Sequence, residues 1–527
     1  MRLRLYYTRC VHSEIHGDVQ MKFDRRKFLG SSAAVGLNCV LGSELFAIKA
    51  ENDSTGGKYK YRIAFELWLN DVRNEPLTLS NWPAAVLDDK TVEGITRALD
   101  VQSAAGYNML DLCGLWGTYG WPEDFEDVAP DRQKRIHQII RATHGRNMKV
   151  LCFPSGILNW GYDQILKANP GIASDNKHEM NPLVEQSWEW MHRVFDFVAN
   201  NYDIDGFHLE AADQGRCNTP ECLEKWPDDV AFYGAVTKKM ADYLRKQHPR
   251  LFLFATIQSF AKWGTHLTPE QRGHVVELSK SIDCLVDQGH LGTYIAQNDW
   301  PSFISSLHCD FGTSGGLWLY PPQRWDRMRW FLPYTQRTGN SISTLYQAGG
   351  RGLLYYQGPT LNPGVEINID FGGRIMNQPG KNVTAVLSET VDHLYHPRND
   401  VAHRKLVEII QDAEDAYFGR WDRQRIQDAT GRPAPGEFYT SEVLGSSPGS
   451  ARYLMEPYLD TAGRLHYKQS LISLYQKISS IETDFNDGGR IGRIKQGLAA
   501  AMTDVNTIST VKNEKAVWDD SKVGLQL

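Results

Sequence analysis

The sequence predicts a (β/α)8 barrel followed by a mainly helical C-terminal domain. Short apolar segments alternate with amphipathic segments about eight times between residues 61 and 358. The alternation stops beyond residue 362, and a helical pattern takes over from about residue 389. Repeated strand–helix alternation is typical of parallel sheets, and eight repeats in about 300 residues suit a closed barrel.

Each predicted strand is a short apolar segment that ends in polar or aromatic residues. In chain order they are YRIAFELWL (61–69), YNMLDLCG (107–114), MKVLCFPS (148–155), IDGFHLEA (204–211), LFLFATIQ (251–258), IDCLVDQG (282–289), FGTSGGLWLY (311–320) and GRGLLYYQG (350–358). Between them, segments such as 91–105 and 131–147 repeat apolar residues every three or four positions, which predicts helices. For residues 362–380 we expect an extended hairpin or a barrel-closing loop.

The N-terminus resembles a twin-arginine export signal. Arg25 and Arg26 precede a short run rich in glycine and alanine that is too short and too polar for a membrane span. A basic cytosolic helix is the alternative. We therefore predict a periplasmic or secreted protein without a membrane span in its mature chain. The predicted division is an N-terminal extension with the signal (1–52), the catalytic barrel (53–385) and the helical domain (386–527).

The composition limits the class of partner. The formal net charge of -6 gives no reason to expect nucleic acid as the main partner. Fifteen Trp and 23 Tyr supply aromatic faces that pack cores and also stack on sugar rings. Cys217 and Cys222 flank a polar NTPE segment, and a short disulfide is plausible there in an oxidising compartment.

Polar and aromatic residues collect at the predicted strand ends, where barrels of this kind carry their active sites. They include carboxylates, amides and aromatic rings, and the set lacks a phosphate-binding Gly–Lys loop. This chemistry predicts a carbohydrate substrate and no organic cofactor. The predicted substrate-binding residues are Glu66, Trp116, Trp160, His208, Gln258, His290, Trp318 and Tyr356.

The fourth strand supplies the strongest catalytic candidate. Strand residues two apart share a face, so Phe207 and Leu209 are expected to pack outward while His208 and Glu210 point into the barrel. Glu210 comes last, at the mouth. Partial desolvation raises the pKa of a carboxyl group, which suits Glu210 to act as a general acid near neutral pH. Alternatively, Glu210 accepts hydrogen bonds from Arg216 or loop amides.

A second carboxylate is needed for cleavage of a glycosidic bond, because one group protonates the leaving oxygen and another attacks or activates water. Asp287 ends the sixth strand, roughly across the mouth from Glu210, and is the first candidate. Asp111 is its rival. A structural role, or a hydrogen bond to a sugar hydroxyl, is the alternative for Asp287. His208 is more often a packed core histidine than a proton shuttle.

The stretch DIDGFHLEAADQGRCNTPEC (203–222) resembles the fourth strand of exported barrel glycosidases of the β-hexosaminidase and α-glucuronidase-like superfamily. The resemblance implies that Glu210 is the general acid. It also implies a glycoside hydrolase with a helical C-terminal domain. Leu209 stands where hexosaminidases carry the first acid of an adjacent Asp–Glu pair, so substrate-assisted chemistry on N-acetylhexosamines is not expected.

Three other functions remain open on the sequence. A metal-dependent sugar isomerase or epimerase would use Glu210, Asp287 and His290 around a divalent ion. A polysaccharide lyase would release unsaturated products. A glycan-binding barrel would have no catalytic activity.

Overall fold

The structure is a computed structural model of the chain. It describes residues 57–68, 87–113, 115, 124–158, 162–176, 178–211, 215–257, 267–287, 300–316, 330–356, 363–430 and 461–509.

Eight parallel strands form a closed barrel in chain order. They are β1 (Tyr61–Trp68), β2 (Met109–Cys113), β3 (Lys149–Cys152), β4 (Gly206–Glu210), β5 (Phe252–Ile257), β6 (Cys284–Asp287), β7 (Asp310–Gly315) and β8 (Gly352–Tyr356). The first and last strands pair directly, with Tyr61 opposite Gly352 and Phe65 opposite Tyr356. The predicted (β/α)8 fold and its eight strands are confirmed.

Helices follow the strands and continue into the C-terminal region. They are α1 (Asp89–Ala105), α2 (Pro130–His144), α3 (Asp163–Ala168), α4 (Glu185–Asn201), α5 (Pro220–Lys225), α6 (Asp229–Gln247), α7 (Pro269–Ser279), α8 (Trp300–Ser306), α9 (Gln336–Gln347), α10 (Pro363–Asn377), α11 (Val383–Tyr395), α12 (Asp400–Thr430), α13 (Thr461–Ser479) and α14 (Gly488–Ser509). Local signals set many ends: Asp88 caps α1 by accepting from the Thr91 amide at 2.8 Å, and Gly106 ends α1 at a φ of 93°. Over the described residues, no helix combines the length and apolarity that a membrane crossing requires.

Two apolar layers arise from the alternation of side chains along the strands. The barrel interior holds a small cluster that includes Ile63, Leu151, Phe254 and Val286. The opposite faces of the strands pack under the helices in the main core, which includes Leu112, Val150, Leu209 and Leu253.

Two glycines allow neighbouring strands to pack closely inside the barrel. The rings of Tyr61 and Phe252 lie 4.8 Å apart in the interior. A Cβ on Gly206 would lie 2.9 Å from the Phe252 Cβ and still closer to the Phe252 carbonyl oxygen. A Cβ on Gly352 would lie 2.7 Å from the Cys284 Sγ. Larger residues at these glycines would therefore overpack the interior.

The expectation of a hairpin or loop for residues 362–380 is wrong, because α10 occupies residues 363–377. Val365, Ile367, Ile369 and Phe371 alternate with other residues as in a strand. However, nearly every residue of α10 is buried, including polar ones. A helix that is buried on all sides has no polar face, so its sequence carries no helical period.

The C-terminal region is mainly helical, as predicted. The predicted domain boundary at residues 385 and 386 lies inside α11, and the division into domains stays a prediction.

A buried carboxylate from α12 joins this region to the barrel. Glu414 accepts hydrogen bonds at the start of α9 from the Thr335 amide (2.7 Å) and hydroxyl (2.9 Å) and from the Gln336 amide (3.1 Å). It also accepts from the Arg337 amide (3.1 Å) and guanidinium (3.2 Å). Since the first amides of a helix have no partner within it, Glu414 supplies the cap that α9 lacks locally.

Two buried carboxylates of α10 bind residues of the C-terminal helices. Glu366 accepts from Arg490 of α14 at 3.1 Å. Asp370 accepts from Arg374 at 2.5 Å and from His393 of α11 at 2.6 Å. Burial opposes the charge of Asp370, but the hydrogen bonds from His393 and Arg374 outweigh it and lower the pKa of Asp370.

Candidate active site

The orientation predicted for β4 is confirmed. Phe207 and Leu209 are fully buried in the main core under the helices. His208 points into the barrel, where its ring meets side chains of β2 and β5. Glu210 is the last residue of β4. The strand therefore delivers a histidine and, above it, a glutamate toward the carboxyl end of the barrel.

The imidazole of His208 is fixed on all sides. Its Nδ1 lies 2.8 Å from Asp111 Oδ2, and its Nε2 lies 2.8 Å from Thr256 Oγ1. The rings of Phe153 and Phe254 lie on it, with centroids 4.5 Å and 4.4 Å from the imidazole centroid. His208 and Asp111 are completely buried. A buried carboxylate that accepts from one ring nitrogen fixes the tautomer and orientation of the ring.

Glu210 lies beside this imidazole at the strand end. Its side chain is 5% exposed, and Oε2 is 3.9 Å from His208 Nε2. Its carbonyl oxygen accepts from the Ile157 amide at 2.5 Å, which ties β4 to the loop after β3. Arg216, named above as an alternative partner of Glu210, makes its hydrogen bonds elsewhere.

The loop after β4 is organised around Arg216 and a disulfide. Cys217 and Cys222 are bonded, as the sequence suggested. The Arg216 guanidinium donates to the carbonyls of Trp226 and, at 3.3 Å, Cys217. It also stacks on the Phe232 ring at 4.8 Å. These contacts hold residues 215–226 in a compact structure.

The loop after β3 contributes a residue that sequence reasoning missed. Residues 173–176 and 178–180 form the two arms of a hairpin, in which Ala173 bridges Met180 and the Ser174 amide donates to the Glu179 carbonyl at 2.8 Å. The Glu179 side chain is completely buried, and its two carboxyl oxygens have no hydrogen-bond partner. Glu179 follows no strand and belongs to no motif, so no local pattern could have found it.

Leu158 holds the backbone of this loop in a strained conformation. Its φ of 66° lies in the left-handed region, which a leucine adopts at a cost of about 1–2 kcal/mol. Its amide contacts the Met191 Sδ at 3.3 Å, and its carbonyl accepts from the Met180 amide at 2.7 Å. Strain of this kind persists only where the surroundings enforce it, as they often do at functional sites.

The structure describes the side chains of two of the three predicted catalytic residues. Glu210 and Asp111 are both described, and His208 lies between them. Asp287 ends β6 as predicted, but its side chain lies outside the described residues.

Seven of the eight predicted substrate-binding residues have side chains outside the described part of the chain, and His208 is the eighth. The side chains of Glu66 and Tyr356 lie outside the described residues, although their backbones belong to β1 and β8. Five further predicted residues also lie outside them: Trp116, Trp160, Gln258, His290 and Trp318. The role of each stays a prediction.

No metal site is formed by the side chains that the structure describes: they include no group of three or more His, Cys, Asp or Glu residues arranged to hold an ion. Asp287 and His290 are outside that set, so the metal-dependent alternative is untested.

Two solved structures are similar to this chain. A glycoside hydrolase family 138 enzyme described as targeting pectin rhamnogalacturonan II is similar, with a TM-score of 0.51 and 9% identity over 86% of this chain and 57% of that one. A mutant O-GlcNAc hydrolase from Thermobaculum terrenum has a TM-score of 0.47 and 10% identity over 85% of this chain and 83% of that one. No protein-family model and no curated protein matches the sequence. At 9% identity the likeness to the family 138 enzyme shows the fold alone. Together with the closed barrel of eight parallel strands, it places the protein in the (β/α)8 barrel class.

Proposed function

We propose that this protein is a glycoside hydrolase that cleaves an oligo- or polysaccharide, with Glu210 as its general acid. The observation that carries the proposal is the position of Glu210. Glu210 is the last residue of β4 that faces into the barrel, and its side chain is nearly buried. Its Oε2 lies 3.9 Å from Nε2 of His208, whose ring other residues hold rigidly. The similarity to a barrel hydrolase that targets pectin is consistent with this reaction class.

In this mechanism Glu210 enters the reaction as a carboxylic acid and donates its proton to the leaving glycosidic oxygen. A second carboxylate attacks the sugar or activates water. Asp287 at the end of β6 remains our candidate for it. The distance between the two carboxyl groups decides whether the anomeric configuration is retained or inverted.

We assign Asp111 a positioning role in place of the rival catalytic role that the sequence suggested. The Asp111 side chain is fully buried and its Oδ2 binds His208, so it does not reach a substrate at the mouth. When the imidazole is neutral, Nδ1–H donates to Asp111 and Nε2 accepts from the Thr256 hydroxyl.

We also propose that the protein is exported. The predicted twin-arginine signal lies outside the described residues. The disulfide between Cys217 and Cys222 fits an oxidising compartment, where such bonds persist. Replacement of Arg25 and Arg26 by lysine, followed by cell fractionation, tests the proposal: retention of the variant in the cytoplasm supports it, and unchanged export contradicts it.

The hydrolase proposal is tested by sugar release from a panel of plant and algal polysaccharides and aryl glycosides. Wild type is compared with Glu210→Gln and with Glu408→Gln, a matched control at an exposed position of α12. We expect release by wild type and the control, and a loss of roughly 100-fold or more in Glu210→Gln, as is typical when a general acid is removed.

Other outcomes point to the remaining alternatives. Release that survives Glu210→Gln would contradict the role of Glu210 and direct attention to Asp287. Unsaturated products that absorb ultraviolet light would indicate a lyase. Loss of sugar conversion on chelation would indicate a metal-dependent isomerase. Binding without turnover that survives Glu210→Gln would indicate a glycan-binding barrel.

A further inference from the structure

Glu179 is a buried acid that lies between the two loops that flank Glu210, and its side chain makes no hydrogen bond. Its side chain has no exposed surface and neither carboxyl oxygen has a partner. Burial raises the pKa of Glu179 to about 9, with Asp175 adding to the shift and Arg216 opposing it. A buried polar group without partners is rare in native proteins and calls for an explanation.

The hairpin that carries Glu179 is connected to Glu210 through the backbone. The amide of Met180, next to Glu179, donates to the Leu158 carbonyl at 2.7 Å. The neighbouring Ile157 donates its own amide to the carbonyl of Glu210 at 2.5 Å. Movement of the hairpin would therefore be transmitted to the end of β4.

The loop after β4 approaches the same hairpin from the other side. The Asn218 amide donates to the Asp175 carboxylate at 2.8 Å. Arg216 of this loop acts electrostatically on Glu179 but donates to the carbonyls of Trp226 and Cys217 instead.

The charged groups around Glu179 come from three elements. Asp175 belongs to its own hairpin and Arg216 to the loop after β4. Asp229, at the start of α6, lies beyond them with its Oδ1 3.8 Å from the guanidinium of Arg216.

We propose that Glu179 is a protonation-controlled latch between its own hairpin (173–176 and 178–180) and the disulfide loop 215–222. With Glu179 neutral, Arg216 binds the carbonyls of Trp226 and Cys217, and the two loops stay packed. When Glu179 ionises, its buried carboxylate has no hydrogen-bond donor, because Arg216 stays bound to the carbonyls of Trp226 and Cys217. Water must then enter to solvate the charge, and its entry separates the two loops. The latch does not depend on the reaction catalysed, and only its effect on turnover rests on the proposed function.

The sign of the effect follows from the direction of the pKa shift. A carboxyl group whose pKa is raised in the folded protein favours the closed state while it carries its proton. This contribution weakens as the pH rises above the ordinary glutamate pKa and is lost once the pH passes the folded value near 9. The loops are therefore expected to open at alkaline pH.

Reduction of the disulfide by a soluble phosphine tests the latch. Cys217 and Cys222 are both completely buried, so their reduction reports the opening of the loop. Rates are measured between about pH 7 and about pH 10 relative to a small model disulfide, with far-ultraviolet circular dichroism as a check on global folding. The variants are Glu179→Gln, which resembles the neutral acid, and the exposed control Glu408→Gln.

For wild type and Glu408→Gln we expect the relative rate to rise about tenfold or more, with its midpoint near pH 9. In Glu179→Gln we expect a rate that varies less than about twofold. Asp175→Asn removes a neighbouring negative charge and should lower the midpoint, which gives a second test if Glu179→Gln does not fold. A flat profile in wild type, or the same rise in Glu179→Gln, would overturn the proposal.

Discussion

Replacement of Glu414 by glutamine should weaken the junction between α12 and the barrel. The carboxylate accepts from three donors through Oε2 and from two through Oε1. A glutamine retains one oxygen, so its amide group must face at least the two donors of Arg337. Arg337 keeps a second partner in Asp415, at 3.0 Å from its Nη2.

The structure sets the size of this effect. Each buried donor left without an acceptor costs about 1–3 kcal/mol, and removal of a negative charge from a helix N-terminus adds about 0.3–1 kcal/mol. Removal of a buried charge is itself stabilising and offsets part of this cost, so the free energy of unfolding should fall by about 3–5 kcal/mol. For roughly 470 residues the unfolding entropy is about 1 kcal/mol per kelvin, so Tm should fall by about 3–5 °C.

Differential scanning calorimetry at matched scan rates measures this change. Glu408→Gln lies on the same helix at an exposed position and should change stability by less than about 0.5 kcal/mol. If the two variants unfold within about 1 °C of each other, the cap does not carry the stability that we assign to it.

The remaining predictions concern the site and the barrel. Asp111→Asn removes a charge-assisted hydrogen bond worth about 1.5–3 kcal/mol from His208, so kcat for sugar release should fall about 10- to 100-fold with little change in KM. Gly206→Ala should lower Tm by several degrees or prevent folding, because its methyl group would meet Phe252 across the strand pair, whereas Gly171→Ala, with open space around it, should not. The pKa of Asp370 is lowered by its partners, so wild type should lose stability when Asp370 takes up a proton in acid. The Tm difference between wild type and Asp370→Asn should therefore shrink as the pH falls below about 4.

The sequence was sufficient to predict the strands and the direction in which Glu210 points. Both depend on local alternation: a buried parallel strand is a short apolar run, and residues two apart share a face. The disulfide between Cys217 and Cys222 could also be predicted, because the two cysteines lie close together in a polar loop.

Other features depend on contacts between distant residues. His208 and Asp111 meet across 97 positions, and Thr335 and Glu414 across 79. Nothing near either residue of such a pair signals the other. The helix α10 was missed for a different reason: burial on all sides removed the polar face that identifies most helices.

Because β1 pairs with β8, the barrel cannot close until β8 has been synthesised. Tyr61 leaves the ribosome roughly 290 residues before Gly352, its partner, which corresponds to about 15–60 s at typical rates of translation. The seven earlier strands have all been synthesised before Gly352 exists, so they can pair with one another while β8 is still missing. Throughout that interval the nascent sheet keeps two open edges, each able to pair with another chain. The closing strand therefore protects this protein from aggregation only after about two thirds of the chain has been translated, and chaperones that shield nascent chains would act before that point.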